Sequence, residues 1–316
     1  MQASTCSPPP APLTVWSFNL RTEFCNDRDG LNSWPERRHG VADLILRHRP
    51  GVVCTQEATG SMLSFLLETL GSEHYAWLGS SRSESPDDER AGVLYDRRQV
   101  MLYEHDTKWL APVGAPKFAR GWDAHHPRTL EIAVFGLREH PGVTLRVLNT
   151  HFDHFGAEAR RKSAEILAEV IRQGALAQPS CVQIVCGDFN SAKGESPGFY
   201  KHLISGSVGL RDAARSAPLA SAMPPFTIHK FQGLAFDSDH GDGTVELSKP
   251  CHEDDNTADS RHIDWILWRS SLSCALEPLA YEVMTDTISA DGRYPSDHFP
   301  VSFAFRLLPT NSASRL

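Results

Sequence analysis

The sequence predicts an α/β sandwich in which two mostly antiparallel sheets are flanked by helices, and three observations carry that expectation. Apolar, β-branched runs of four to ten residues recur between Gly, Pro and Asp residues, the pattern of meandering strands. The stretch 156–173 is strongly amphipathic, with Ala164, Leu167, Val170 and Ile171 on one face and charges on the other. A strand, helix, strand order in the first half of the chain returns in the second.

Element by element, 14–20 reads as a buried strand and 26–32 as a loop. Ser33-Trp34-Pro35-Glu36 has the form of a capping box, with Pro35 in a first turn where its missing N–H does no harm. The helix it opens keeps Val41, Leu44, Ile45 and His48 on one face until Pro50-Gly51 stops it. Residues 52–56 form the next strand, with Glu57 at its C-terminal end, and 62–70 a second helix. Shorter extended runs follow at 75–78, 92–95, 100–103, 128–137 and 143–149. After the helix at 156–173 come a strand to Gly187, a helical segment near 197–203, and strands at 262–268, 280–284 and 299–305.

Composition bounds the function classes. A chain of 316 residues, 41% hydrophobic and 22% charged, is that of an ordinary globular protein. No stretch has the composition of a linker, so one domain is expected over 13–308, between a Pro-rich disordered head at 1–12 and a tail at 309–316. No run of about twenty apolar residues is present to span a membrane, and no basic and apolar leader opens the chain, so the expected location is cytoplasmic. Seven cysteines without metal-site spacing fit reduced, buried thiols such as Cys54 and Cys186, while a disulfide among Cys6, Cys25 and Cys251 stays open. The net charge of −8 is uneven: 233–259 holds eight acids against Lys249, or −7, leaving about −1 elsewhere. That balance argues against a protein that tracks duplex nucleic acid through a basic face. The acidic stretch reads as an insertion and as a solvated loop; folded over a cleft it would repel long polyanions.

Polar groups cluster at the ends of the apolar runs. Phe18-Asn19, Thr55-Gln56-Glu57, Asn149-Thr150-His151, Gly187-Asp188-Phe189-Asn190, His262-Ile263-Asp264 and Ser296-Asp297-His298 all have this form. Hydrolysis of a phosphate ester needs neutralised phosphoryl oxygens, a positioned water and help for the leaving oxygen. Oxygen ligands among such residues suit Mg²⁺ or Mn²⁺. The six motifs, in this order, resemble the endonuclease/exonuclease/phosphatase superfamily, over residues 14–306.

The resemblance implies a four-layer α/β/β/α architecture and a metal-dependent phosphoesterase. It implies Asn19, Glu57 and Asp297 as metal-holding residues, His298 at the scissile phosphate, and Asp264 in its support. Asp188 is implied to align or deprotonate the attacking water, Asn190 to bind a phosphate oxygen, and His151 to act as a phosphate-binding electrophile. Arg128, Trp122 and His229 are expected near the substrate, Arg128 as a bidentate phosphate ligand. A zinc site at His125-His126 or His252-Glu253-Asp254-Asp255 lacks the usual ligand spacing. The favoured substrate is a small or medium phosphorylated molecule. A nuclease of RNA or single strands and a catalytically silent binding relative are the alternatives. Oligomeric state is not legible.

Overall fold

The computed structural model describes residues 10–25, 30–140, 142–195, 199–220, 223–236, 261–288 and 292–309. Residues 1–9 of the expected head, the tail from 310 and residues 237–259 of the acidic insertion lie outside the described residues. Along the chain run β1 (Leu13–Asn19), α1 (Trp34–His48), β2 (Val52–Gln56), α2 (Gly60–Leu70), β3 (Tyr75–Leu78) and β4 (Val93–Asp96). Then come β5 (Val100–Trp109), β6 (Thr129–Leu137), β7 (Thr144–His151), α3 (Ala157–Ala177), β8 (Cys181–Asp188) and α4 (Phe199–Ile204). The short β9 (Arg211–Asp212), α5 (Ala213–Ser216) and β10 (Leu219–Ala220) precede β11 (Asp264–Arg269), β12 (Cys274–Val283) and β13 (Val301–Pro309).

The strands form a seven-stranded sheet, β10-β12-β13-β1-β2-β4-β3, and a six-stranded sheet, β5-β6-β7-β8-β11-β9. Pairing is mostly antiparallel, and the central pairs β1–β2 and β7–β8 are parallel. Val15, Val52 and Cys54 meet Val147, Ile184, Cys186 and Ile266 between the sheets. Trp16, Phe18 and Val53 point the other way, onto Val41, Leu44 and Ile45 of α1 and Leu63 and Leu66 of α2. Leu148, Val185 and Leu267 likewise pack on Leu167 and Ile171 of α3 and Leu203 of α4. These central strands are buried on both faces, which is why they read as continuous apolar runs rather than alternating ones. The result is the expected α/β/β/α sandwich.

Three elements differ from the sequence reading. β5 runs six residues past the predicted 100–103, because it is an edge strand whose Glu104, His105, Asp106 and Lys108 are not core residues. Charges there also discourage pairing with another chain. β12 begins at Cys274 rather than 280, with Pro278 accommodated where the register to β13 shifts. Ser33 does cap α1 with Pro35 behind it, but its side chain makes no capping bond. The box is sequence form only. No helix among the described residues is long and apolar enough to cross a membrane.

Strand register positions the polar ends. Asn19 pairs with Gln56 across β1–β2, His151 with Asp188 across β7–β8, and Asp264 with Asp188 across β11–β8. Gly187 permits this meeting. A Cβ there would press on the Thr150 carbonyl oxygen of the adjacent strand, which is backbone and has nowhere to move.

Candidate active site

Four strand ends, the start of β11 and the loop before β13 contribute the polar groups, all at one rim of the sandwich. Two residues that follow strand ends, Glu57 (φ 58°) and Asn190 (φ 46°), turn the chain through the left-handed region. For a non-glycine residue that conformation costs about 1 kcal/mol or more and persists where surrounding bonds enforce it. Here they do. Thr22 N–H donates to Glu57 Oε2 at 3.0 Å, and Asn190 N–H donates to Asp188 Oδ1 at 2.9 Å.

Asn19 joins the two sheets. Its amide nitrogen donates to Glu57 Oε1 and to Asp188 Oδ2, each at 3.0 Å, while its oxygen accepts from Arg21 N–H at 3.0 Å. Burial would raise the Glu57 carboxyl, but the Asn19 amide, the Thr22 N–H and the charges of Arg21 and His298 hold it below its ordinary value. Beneath it, Gln56 donates to Asn149 Oδ1 at 2.8 Å, and Asn149 donates to the carbonyls of Thr55 (2.9 Å) and Gly92 (2.8 Å). A buried amide bridge between sheets therefore fixes the strand end that carries Glu57.

His298 lies on the opposite side. Its Nδ1 donates to Asp264 Oδ2 at 2.8 Å, and its Nε2 faces Asp188 Oδ2 at 4.0 Å. Burial opposes charge on this ring, yet Asp264, Asp297 and Asp188 together lift its pKa to about 10. It is an imidazolium at neutral pH. Asp188 moves upward too, to about 7, through burial and the nearby Asp264 charge, against the pull of His298. Such a carboxylate is poised to exchange a proton with water.

His151 is held differently. Its Nε2 accepts from the Asn190 amide at 3.0 Å and sits 3.6 Å from Asp188 Oδ2. Burial, then Arg128 and Arg82, depress its pKa well below the ordinary value, so the ring is neutral. Two histidines in one rim thus carry opposite charge states, set by a buried carboxylate on one side and guanidinium groups on the other. Asp297 is steadied by Arg21 at 3.6 Å, and Ser296 Oγ donates to the Asn19 carbonyl at 2.6 Å. Arg37, buried on α1, donates to the carbonyls of Leu20 (3.0 Å) and Pro295 (2.5 Å), tying the two loops together.

The donor set suits a divalent cation. Asp188, Asp264, Asp297 and Glu57 gather around one rim, against His298 and Arg21, and buried like charges need a counter-ion. Asp264 Oδ1 is buried without a partner, an orphaned acceptor. Asp188, Asp264 and His298 present ligand atoms within 4.8 Å of one another. In that trio the His298 nitrogen is protonated and bonded to Asp264, which is a poor metal ligand. The Glu57 side, with oxygen donors from Asn19 and Asp297, is the harder set and the better match to Mg²⁺ or Mn²⁺.

A family model described as the endonuclease/exonuclease/phosphatase family matches residues 16–298, from β1 to the last site histidine. The chain belongs to the endonuclease/exonuclease/phosphatase family. Members of this family are hydrolases of phosphoester bonds and are generally dependent on a divalent metal. Nocturnin of Drosophila melanogaster is 24% identical over 298 residues, 88% of this chain and 42% of that protein, so the chain spans less than half of that relative. An endonuclease/exonuclease/phosphatase family protein from Bacteroides thetaiotaomicron has the same fold: TM-score 0.75, 24% identity, covering 96% of this chain and 100% of that one. So does a mannosyl-6-phosphatase from the same species, with TM-score 0.74, 24% identity and coverage of 94% and 99%.

Within this family frame, the structure brings Asn19, Glu57, His151, Asp188, Asn190, Asp264, Asp297 and His298 to one rim. Arg128 is buried rather than displayed, its Nε 3.4 Å from Asp153 and its Nη2 donating to His154 at 3.0 Å. Trp122 is half-buried, with a left-handed backbone (φ 51°), and does not line the recess beside Glu57 and His151. His229, expected at the substrate, has 0% exposure: its N–H donates to the Asp297 carbonyl and its ring packs on Tyr294 and Phe299. It is a prop beneath the Asp297–His298 loop. His125 and His126 cluster with His154 and Phe155, but among the described residues neither belongs to a group of three ligands. The second zinc candidate, 252–255, lies outside the described residues. Arg82, whose charge bears on His151, escaped the sequence reading because it sits in a charged loop that has no periodicity.

Asp153 accepts from the N–H groups of His125 (3.0 Å), His126 (3.2 Å), Phe155 (3.1 Å) and Gly156 (2.8 Å). Burial alone would raise its carboxyl, but these donors and Arg128 pull it below the usual 3.8. A depressed carboxylate contributes stability that is present above the unfolded value and lost as pH falls through the folded one. Asp153→Asn is expected to cost about 1–3 kcal/mol at pH 7 and to flatten the acid loss of stability. Urea unfolding between pH 7 and 3 measures both; equal pH slopes in variant and wild type would refute the assignment.

Proposed function

We propose that this chain hydrolyses a phosphate ester of a small or medium phosphorylated molecule with Mg²⁺ or Mn²⁺ bound at Glu57, Asn19 and Asp297. The observation that carries the reading is His298, a buried imidazolium between Asp264 (2.8 Å) and Asp188 (4.0 Å), beside a neutral His151. A cation fixed in a dry site stabilises the charge that develops on a phosphoryl group far better than one in water. Asp264 holds the ring in place and keeps it charged. Asp188 aligns the attacking water and takes its proton, while the Asn190 amide, on exchanging its bond to His151 for the substrate, and the His151 N–H hold phosphoryl oxygens. When bound, the metal supplies further neutralisation of those oxygens.

The small substrate is supported by charge. The chain carries −8 overall and lacks the basic excess that a nucleic-acid backbone demands. A similar fold bears the name mannosyl-6-phosphatase. Assay of the protein with Mg²⁺ and Mn²⁺ on a phosphomonoester, a phosphodiester, a phospholipid and RNA tests the reading. Turnover of a small ester is the expected outcome; turnover of RNA alone would replace it with a nuclease, and turnover of none with a silent relative.

A further inference from the structure

Arg21 stands beside the residues proposed to hold the metal, and none of the six motifs contains it. It lies two residues past Asn19, and its backbone is left-handed (φ 56°). A non-glycine residue takes that conformation at a cost, and such strain gathers where it serves a function. Three bonds enforce it. The Arg21 N–H donates to Asn19 Oδ1 at 3.0 Å, the Arg21 carbonyl accepts from Arg37 Nη2 at 3.1 Å, and the Thr22 N–H donates to Glu57 Oε2 at 3.0 Å. The turn is thus fastened to Asn19 and to Glu57, and it brings Arg21 Nη1 to 3.6 Å from Asp297 Oδ2. The Arg21 charge also bears on Glu57.

That placement works against the metal. Glu57 and Asp297 attract a dication, and a guanidinium fixed on the same carboxylate repels it. Nor is Arg21 placed as a close partner for Asp297, since 3.6 Å exceeds the roughly 2.7–2.9 Å of a charge-assisted hydrogen bond. Arg37 shows the contrast: it is fully buried and gives its guanidinium to the carbonyls of Leu20, Arg21, Asn32 and Pro295. Other cations of the site are sealed too. The His298 side chain is 4% exposed and that of Arg128 5%, whereas that of Arg21 is 28%. Arg21 therefore meets a ligand arriving from solvent without any opening of the core.

A dianionic phosphoryl group resolves the conflict. It carries charge enough for two neighbouring cations, and its oxygens match the planar fork of a guanidinium. Resting on the metal-dependent hydrolysis proposed above, we propose that Arg21 is a phosphate ligand of the site, held beside Glu57 and Asp297 at the expense of metal affinity. Its loss then has opposite effects on the two ligands: the metal binds more tightly and phosphate more weakly. A residue that only steadied Asp297 would move both affinities the same way, because the metal and the phosphate would depend on the same ordered carboxylate. Inorganic phosphate is a sufficient probe, since it shares the non-bridging oxygens of the ester.

Calorimetric titration at about pH 8, which limits competition from protons, tests the signs. Arg21→Met keeps the apolar stem and removes the charge. It is expected to bind Mn²⁺ about 3–10-fold more tightly than wild type. Inorganic phosphate, titrated into the Mn²⁺-loaded protein, should bind about 10–100-fold more weakly. Arg21→Lys keeps the charge and lacks the fork, so its Mn²⁺ affinity should stay within about twofold of wild type while phosphate weakens about 3–10-fold. Weaker Mn²⁺ binding by Arg21→Met, or phosphate binding within about twofold of wild type, overturns the assignment. Should Arg21→Met melt far below wild type, Arg21→Lys decides, and wild-type phosphate affinity in that variant overturns it. If wild type takes up no Mn²⁺, the metal reading fails, and phosphate titrated alone decides Arg21. Weaker phosphate binding by Arg21→Met then upholds it, and equal binding, or a wild type that holds no phosphate, overturns it.

Discussion

His298→Ala lowers kcat about 10³-fold in the expected result, the scale of losing one preorganised charge at a developing anion. KM should move little, because the imidazolium acts mainly on charge that appears during the reaction. The substitution also leaves the Asp264 carboxylate buried without its cation, which is destabilising. His298→Gln keeps a side-chain donor and separates the two effects: fold restored, rate still lost. Asp264→Asn should approach the same rate, since it removes the charge that keeps the ring protonated and oriented. A kcat within tenfold of wild type for a well-folded His298→Ala would sink the mechanism.

Glu57→Gln is expected to weaken Mn²⁺ binding at least about 10–100-fold and to cut activity in parallel, partly rescued by excess metal. The amide keeps the volume, but Asn19 and Thr22 donate to different carboxylate oxygens, so the single amide oxygen meets one of them and its NH₂ faces the other. What is lost is the charge and one acceptor. Asp264→Asn supplies the contrast: if the metal sits on the Glu57 side, that variant loses turnover while its Mn²⁺ affinity stays within about threefold of wild type. Should Asp264→Asn instead lose the metal and Glu57→Gln keep it, the ion belongs to Asp188, Asp264 and His298. Calorimetric titration with Mn²⁺ and thermal melting distinguish either outcome from simple unfolding.

The eight rim residues were legible because each follows or precedes an apolar run, and a sheet places strand ends together. Cys54 and Cys186 are buried thiols, as their neighbours implied. Other positions were not legible for identifiable reasons. His229 reads like an active-face residue in Phe226-Thr227-Ile228-His229, but its ring turns under the Asp297–His298 loop, a direction no spacing encodes. Charged residues hid the second half of β5, where pairing to β6 along one edge outweighs propensity.

What the chain alone determined is the order of strands and helices, the two parallel central pairs' apolar character, and which residue types arrive at strand ends. These are local matters of periodicity and turn chemistry. Only the tertiary structure decided that His298 is charged and His151 neutral, because burial and the partners Asp264 and Arg128 come from distant parts of the chain.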